Sequence, residues 1–215
     1  MSKITYVCAS ALLLVMVLSA IAKDQKQSVQ TATPGQERTV LVIVEHGTPA
    51  SDFPREKLQT LIRLERQVEA AGGEEKAPAE LVSQLHQLER ECRLHPRTPQ
   101  NDPYNASVER IAQIIARQNR FYRVLVAHNE FCGLDVDEAI EQAVQQGATR
   151  VLVVTTMVTP GGGHSERDIP EKIERARKSH PQVKIQYIWP VSEDAIAKLF
   201  LQEIDRHTKL LTTTR

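Results

Sequence analysis

Four short runs of consecutive apolar residues constrain the fold of this chain more than any other feature. They lie at Thr39 to Glu45, Tyr122 to His128, Arg150 to Thr156 and Val183 to Trp189. The first, TVLVIVE, has no alternation of apolar and polar residues, and the pattern predicts strands that are buried on both faces. Strands of this kind are typical of parallel sheets that carry helices on both sides.

Stretches with helical periodicity separate the four runs. Residues 107–118 repeat apolar side chains every three to four positions, and residues 135–146 end at Gly147, a residue type that is common just beyond helix ends. A third helix is expected from Asp168, with its side chain as the N-terminal cap, and a fourth over 193–207. This alternation predicts an α/β fold: a four-stranded, mainly parallel sheet flanked by helices.

An insert at about residues 54–100 separates the first strand from the first of these helices. Two amphipathic stretches, 55–71 and 78–93, flank Gly72-Gly73, a pattern that predicts an inserted helical hairpin. Two interpretations of the hairpin stay open, a packed surface elaboration and a lid or dimerisation element. The whole α/β domain is expected to cover residues 39–210.

The first 22 residues have the features of an export signal. Lys3 precedes an apolar run that ends at Ala20-Ile21-Ala22, which matches the small-x-small pattern of a signal peptidase site. We predict a cleaved signal peptide over 1–22, a polar linker over 23–38, and therefore an exported, periplasmic protein. An uncleaved membrane anchor is the alternative, because the apolar run approaches the roughly 20 residues that span a bilayer.

Composition excludes one class of partner. The chain has 27 basic and 27 acidic residues and only 4% aromatic residues. Nucleic-acid binding needs a basic surface and, for single strands, aromatic side chains that stack on bases, so we predict no nucleic-acid partner. Without the leader the chain keeps two cysteines, Cys92 and Cys132, which are compatible with one disulfide or with two unpaired thiols.

Three of the predicted strands end in side chains that bind metals or protons. The first ends at Glu45-His46, the second at His128 with Glu130 two residues later, and the third leads to His164. The carboxyl ends of parallel strands meet at one edge of a sheet, where open α/β proteins bind ligands. Imidazoles with a carboxylate suit a borderline divalent ion such as cobalt, nickel, iron or zinc. Histidine also accepts protons near neutral pH.

Three consecutive glycines, Gly161, Gly162 and Gly163, precede the last of these histidines. Because they lack side chains, a large flat ligand could approach the backbone there, and we predict that they bind the ligand. The participation of His128 stays open. If the second strand continues to Glu130, alternation places these two side chains on one face of the sheet. The other histidines are expected to be solvated or structural: His86, His95, His180 and His207.

Taken in order, these motifs resemble the short sirohydrochlorin cobaltochelatases, which have the class II chelatase fold. The similarity covers residues 39–47 and about 101–205, and its most specific part is the segment PGGGHSERDIP at 160–170. The resemblance implies insertion of a divalent metal into sirohydrochlorin or a related tetrapyrrole, in a cobalamin- or sirohaem-type pathway. Cobalt is the expected metal, with nickel and iron as alternatives. The metal is then a substrate, and no organic cofactor is expected.

The resemblance also implies roles for individual residues. His46 and His164 match the two family histidines that hold the metal and take up pyrrole protons, and Glu130 matches an acidic residue that positions the metal or accepts a proton. Short members of the family pair as homodimers, which implies a homodimer here. Three features depart from the family: Glu45 stands where glycine is more usual, the segment FCGL at 131–134 stands where a proline commonly precedes the next helix, and the leader contrasts with a mainly cytoplasmic family.

Other functions stay open at this point. An exported metal- or tetrapyrrole-binding protein would use the same residues without turnover. A histidine phosphatase shares a strand that ends in His-Gly, but Glu45 stands in place of the arginine of that motif and would repel a phosphate. A structural or degenerate homologue is the last alternative.

Overall fold

The structure is a computed structural model, which describes residues 37–213, with side chains as far as residue 209. The predicted signal peptide at 1–22 and all but the last two residues of the predicted linker lie outside the described residues. Between residues 37 and 213, no helix combines the length and the apolar character needed to cross a membrane.

Four parallel strands form one sheet in the order β2-β1-β3-β4. They are β1 (Thr39–Glu45), β2 (Arg123–His128), β3 (Arg150–Thr155) and β4 (Lys184–Tyr187). In this register Glu45 pairs with His128, and Val44 pairs with Thr155. The carboxyl ends of β1, β2 and β3 therefore reach the same edge of the sheet.

Six α-helices lie along the described residues. They are α1 (Arg55–Ala70), α2 (Ala79–Arg93), α3 (Pro103–Ala116), α4 (Val136–Gln145), α5 (Ile169–Ser179) and α6 (Glu193–Thr213). Helices α4 and α5 pack on one face of the sheet, and α3 packs on the other face over β1 and β2. The predicted fold class is confirmed, including the hairpin of α1 and α2 inserted after β1.

The central strand β1 contributes to both cores. Val40, Val42 and Val44 face α4 and α5, whereas Leu41 and Ile43 face α3. Successive side chains of a strand point to opposite faces, so a strand covered on both sides has no position left for a solvated polar residue. This explains the uninterrupted apolar run of the sequence.

Two helix starts differ from the sequence-based prediction. Helix α3 begins at Pro103 because Asp102 caps it: its Oδ1 accepts a hydrogen bond from the backbone N–H of Asn105 at 3.0 Å. The predicted cap at Asp168 is wrong. A π-helical turn over His164–Asp168 leads directly into α5, and the Asp168 side chain makes no capping hydrogen bond.

The hairpin has a core of its own. Side chains of α1 and α2 pack together, among them Leu61, Leu64 and Leu85, and Phe131 from the loop after β2 packs against them. The hairpin is therefore joined to the loop that follows β2.

Helix α6 presents apolar side chains to solvent. From Glu193 to Lys209 every residue is exposed except Ile196, which is partly buried. As far as Lys209, the large apolar side chains exposed on this helix are Leu199, Phe200, Leu201 and Ile204.

Candidate metal centre

His46, Glu130 and His164 converge at the carboxyl edge of the sheet. His46 follows β1, Glu130 lies in the loop after β2, and His164 opens the π-helical turn after β3. One ligand atom of each side chain lies within 4.8 Å of the others, and all three residues are partly buried. The structure thus brings together the three residues that the sequence analysis selected, at a place that solvent reaches.

A backbone carbonyl fixes the tautomer of His46. Its Nδ1 lies 2.8 Å from the oxygen of Gly47, which can only accept a hydrogen bond, so Nδ1 carries the proton. The Nε2 lone pair is then free to bind a metal. The ring of His46 meets that of His164 edge to face, with 4.7 Å between the ring centroids.

Asp168 orients His164 in the same way. Its Oδ2 lies 2.6 Å from His164 Nδ1 and accepts the proton of that nitrogen. Partial burial alone would raise the pKa of Asp168, but hydrogen bonds from His164 and Arg167 and the charges of these residues hold that pKa below its usual value. An ionised carboxylate on Nδ1–H is the usual partner of a metal-binding histidine, and it leaves Nε2 as the ligand atom.

Asn129 also contacts His164. Its side-chain nitrogen lies 2.8 Å from Nδ1, and its Oδ1 is buried without a hydrogen-bond partner. A half-turn of the amide places that oxygen against the Nδ1 proton, since the oxygen and nitrogen of an amide occupy nearly equivalent positions. Asn129 would then support the same tautomer as Asp168.

The arrangement can hold a divalent ion and can also hold protons. His164 Nε2 lies 2.8 Å from Glu130 Oε1, a hydrogen-bond distance, and both side chains are about 30% exposed (30% and 31%). Two imidazole nitrogens and a carboxylate suit a borderline divalent ion and leave coordination positions open on the solvent side. Because metal and protons compete for the same atoms, binding one releases the other.

Close backbone packing couples the positions of His46 and Glu130. Gly47 has a φ of +87°, and a Cβ at this position would lie 2.0 Å from the carbonyl oxygen of Glu130. The backbone N–H of Asn129 donates to the main-chain carbonyl of Glu45, and that of Glu130 donates to the main-chain carbonyl of His46, both at 3.0 Å. Only glycine allows the two loops to approach this closely.

Arg97, from the segment after the hairpin, fastens the loop that carries Glu130. Its Nη2 donates to the carbonyl of Phe131 at 2.6 Å, and its Nη1 donates to Asp102 Oδ2 at 2.7 Å and to the carbonyl of Thr48 at 2.5 Å. Phe131 has a φ of +55°, a conformation that costs a non-glycine residue about 1–3 kcal/mol and persists where surrounding contacts impose it. The insert and its return segment therefore support the centre, a role that the sequence analysis did not foresee.

The three predicted ligand-binding glycines lie exposed beside His164. A Cβ at Gly161 would meet no atom within 4 Å, whereas one at Gly162 would come within 3.3 Å of Ser165 Oγ. The backbone N–H of Gly161 donates to Glu166 Oε1 at 2.9 Å. Their role in binding stays a prediction.

His128 does not join this centre. Strand β2 ends at His128, so the alternation that would have placed it beside Glu130 does not continue. The residue is 5% exposed, and its ring lies against Glu45. Cys92 and Cys132 are both buried and unpaired.

Comparison with known proteins identifies the family. A family model described as CbiX matches residues 100–207, which is half of the 215-residue chain. The chain therefore belongs to the CbiX family, and the family resemblance inferred from its motifs is confirmed.

Two curated relatives match shorter stretches. A sirohydrochlorin ferrochelatase from Priestia megaterium is 31% identical over 65 residues, which are 30% of this chain and 24% of that protein. A sirohydrochlorin cobaltochelatase from Methanopyrus kandleri is 33% identical over 72 residues, which are 33% of this chain and 50% of that protein. The matches thus cover half or less of the length of these curated relatives.

Two solved structures are also similar. A putative cobalamin biosynthesis CbiX protein from Marinobacter aquaeolei is 16% identical, with a TM-score of 0.44 over 79% of this chain and 96% of that chain. The sirohydrochlorin chelatase SirB from Bacillus subtilis subspecies spizizenii, in complex with cobalt, is 18% identical, with a TM-score of 0.38 over 78% of this chain and 50% of that chain.

Proposed function

We propose that this protein inserts a divalent metal into sirohydrochlorin or a related tetrapyrrole, in a cobalamin- or sirohaem-type pathway. The observation that carries the proposal is the convergence of His46, Glu130 and His164 at an open edge of the sheet. Membership of the CbiX family supports it, as do the two curated relatives, which are named as sirohydrochlorin chelatases.

In the proposed reaction the metal is a substrate, and it exchanges for two pyrrole N–H protons of the ring. His46, His164 and Glu130 hold the ion while the flat ring approaches from the exposed side, along Gly161–Gly163. As the ion passes to the ring nitrogens, the histidine and carboxylate atoms that it leaves become free to accept the two protons. Asp168 keeps the Nδ1 proton of His164 in place throughout, so Nε2 is the atom that changes partner.

Cobalt is the metal that we favour. Two imidazoles and one carboxylate accept Co²⁺, Ni²⁺ and Fe²⁺ alike, and the relatives include a cobaltochelatase and a ferrochelatase. The preference for cobalt rests on the motif resemblance and on the cobaltochelatase, of which a larger share is matched. Rates measured side by side with the three ions would test it.

We further propose that the protein works as a homodimer. The exposed apolar side chains of α6, such as Phe200 at 61% exposure, favour burial against another surface. On the sheet face that α3 covers, Leu152 and Val154 of β3 are only partly buried. Light scattering on the purified protein would give twice the chain mass, and Phe200→Glu would reduce it to one chain.

Export to the periplasm, with cleavage after Ala22, is the proposed location. The small-x-small pattern at Ala20–Ala22 supports it. Intact mass measurement of the mature protein would find a chain that begins at Lys23, whereas a chain that retains residues 1–22 would indicate a membrane anchor.

The test of the proposed function follows the visible spectrum of sirohydrochlorin mixed with Co²⁺ and the purified protein. We expect insertion above the spontaneous rate, and its loss in His46→Ala and in His164→Ala. His86→Ala is the matched control, because the side chain of His86 is 53% exposed and lies on α2. A spectral change that saturates at one ring per site without turnover would instead favour an exported binding protein.

A further inference from the structure

Behind the candidate centre lies a second group of metal-binding side chains, which the proposed function does not use. We propose that Glu45, His128 and Cys132 form a buried site for a borderline divalent ion such as Zn²⁺ or Co²⁺. One ligand atom of each residue lies within 4.8 Å of the others. The three residues are 0%, 5% and 2% exposed, in that order.

The carboxylate of Glu45 is the first reason for this assignment. It is completely buried, and its Oε2 has no hydrogen-bond partner. His128 Nε2 lies 2.8 Å from Oε1, but the same nitrogen is also 3.1 Å from Asn105 Oδ1. A buried carboxylate oxygen without a partner is costly, and a bound cation would supply the partner that Oε2 lacks.

The fold directs the three ligands toward one another. Alternation along β1 turns Glu45 to the face that α3 covers, the face of Leu41 and Ile43. Because Glu45 and His128 are partners in the strand register, their side chains meet on that face. Cys132 joins them from the loop after β2.

The ligand atoms have the chemistry of a transition-metal site. His128 Nδ1 lies 3.3 Å from the carbonyl of Leu134, which accepts a proton held on Nδ1, and Nε2, which faces Glu45 Oε1 and Asn105 Oδ1, would give up its proton when a metal binds there. The Cys132 thiol points to Asp102 Oδ2 at 3.6 Å, and its proton would leave when a metal binds the sulfur. Thiolate, imidazole and carboxylate together are ligands of Zn²⁺ and Co²⁺ and are poorly suited to Mg²⁺ or Ca²⁺.

The two groups of ligands share the same two loops. Glu45 immediately precedes His46, and Glu130 lies midway between His128 and Cys132 in the sequence. An ion in the buried site would therefore tie β1 to the loop that carries Glu130. This inference does not rest on the proposed function, because a buried ion would hold these loops whatever the open centre does.

Cobalt binding to the metal-free protein tests the proposal, because Co²⁺ bound to a thiolate gives a near-ultraviolet charge-transfer absorption that imidazole and carboxylate ligands do not give. We expect two Co²⁺ per chain and this absorption. Because the site is buried, Co²⁺ is added both to the folded protein over many hours and during refolding from denaturant. Cys132→Ser should lose the absorption and bind one Co²⁺, and Cys92→Ser, the matched control, should keep both.

Two more variants keep the result interpretable. Glu45→Gln keeps the shape of the side chain, and it should weaken the thiolate-linked binding by roughly tenfold or more, since even losses outside the ligand shell cost 10–100-fold in metal affinity. His46→Ala should keep the absorption, which separates this site from the open centre. One Co²⁺ per chain without the absorption under both loading conditions would overturn the proposal, and so would an absorption that Cys92→Ser removes.

Discussion

Replacement of Gly47 by alanine should damage both the stability of the protein and its candidate metal centre. The new Cβ would lie 2.0 Å from the carbonyl oxygen of Glu130, at a residue whose φ is +87°. Non-bonded carbon and oxygen atoms need about 3 Å or more, so one of the two loops must move by roughly 1 Å. Glu130 would then move relative to His46.

The free-energy cost has two parts. A non-glycine residue at positive φ costs about 1–3 kcal/mol. Overpacking that forces the backbone to shift costs about 1–3 kcal/mol more. The sum, roughly 2–6 kcal/mol, is a large fraction of the 5–15 kcal/mol that stabilises a typical domain.

Gly73→Ala separates the two parts. Gly73 has a φ of +97°, close to that of Gly47, but a Cβ there would meet no atom within 4 Å. It should therefore carry only the conformational cost. Urea unfolding gives the free energy of unfolding of both variants, and calorimetry gives their Co²⁺ affinities.

We expect Gly47→Ala to be less stable than Gly73→Ala by about 1–3 kcal/mol, the packing part of the cost. Its Co²⁺ affinity at the open centre should fall, whereas that of Gly73→Ala should not. Equal stability of the two variants, with unchanged Co²⁺ binding in Gly47→Ala, would refute the argument that backbone packing sets the position of Glu130.

Three further predictions concern residues around the centre. Asp168→Asn should weaken Co²⁺ binding about 10–100-fold, because His164 loses the carboxylate that orients it, and calorimetry measures the change. Arg97→Ala should cost roughly 3–5 kcal/mol in urea unfolding, since it leaves Asp102, whose side chain is 1% exposed, as an unpaired buried charge. Cys132 should react very slowly with a thiol reagent at pH 8 in the folded protein, because burial raises its pKa to about 12 and the thiolate is the reactive form.

Controls and contrary outcomes are available for each. Arg175→Ala is the control for Arg97→Ala, because it removes an ion pair with Asp137 in which the arginine side chain is 58% exposed. This variant should lose about 1 kcal/mol or less of its free energy of unfolding. An equal loss in Arg97→Ala would contradict the burial argument. Full Co²⁺ affinity in Asp168→Asn would show that the carboxylate does not orient His164. Prompt labelling of Cys132 without denaturant would show that its surroundings open readily.

The sequence was sufficient for the fold class because the strongest local signals agreed with the tertiary structure. The run at Thr39–Glu45 has no polar interior position, and β1 proved to be the central strand, buried by helices on both faces. The helix starts were less predictable. Asp102-Pro103 is a good helix start, but the apolar periodicity becomes clear only from residue 107, and Asp168 has the residue type of a cap but serves His164 instead.

The candidate ligands could be selected from strand ends alone, but their supporting contacts could not. His164 and Asp168 are four residues apart, a spacing that brings side chains together on a helical turn, and this was a usable signal. Nothing local indicated that Arg97 would reach the carbonyl of Phe131, because that contact depends on how the insert folds back. The separation of His128 from Glu130 likewise follows from the end of β2, and strand ends are poorly defined by sequence pattern.

The most direct test of the central claim is transfer of bound metal to the ring. The protein is loaded with Co²⁺ and then mixed with sirohydrochlorin and an excess of EDTA, which traps any free ion, while the visible spectrum is recorded. The account predicts cobalt-sirohydrochlorin from the wild-type protein despite the trap, and none from His164→Ala. Absence of product from the loaded wild-type protein, or equal product from His164→Ala, would contradict it.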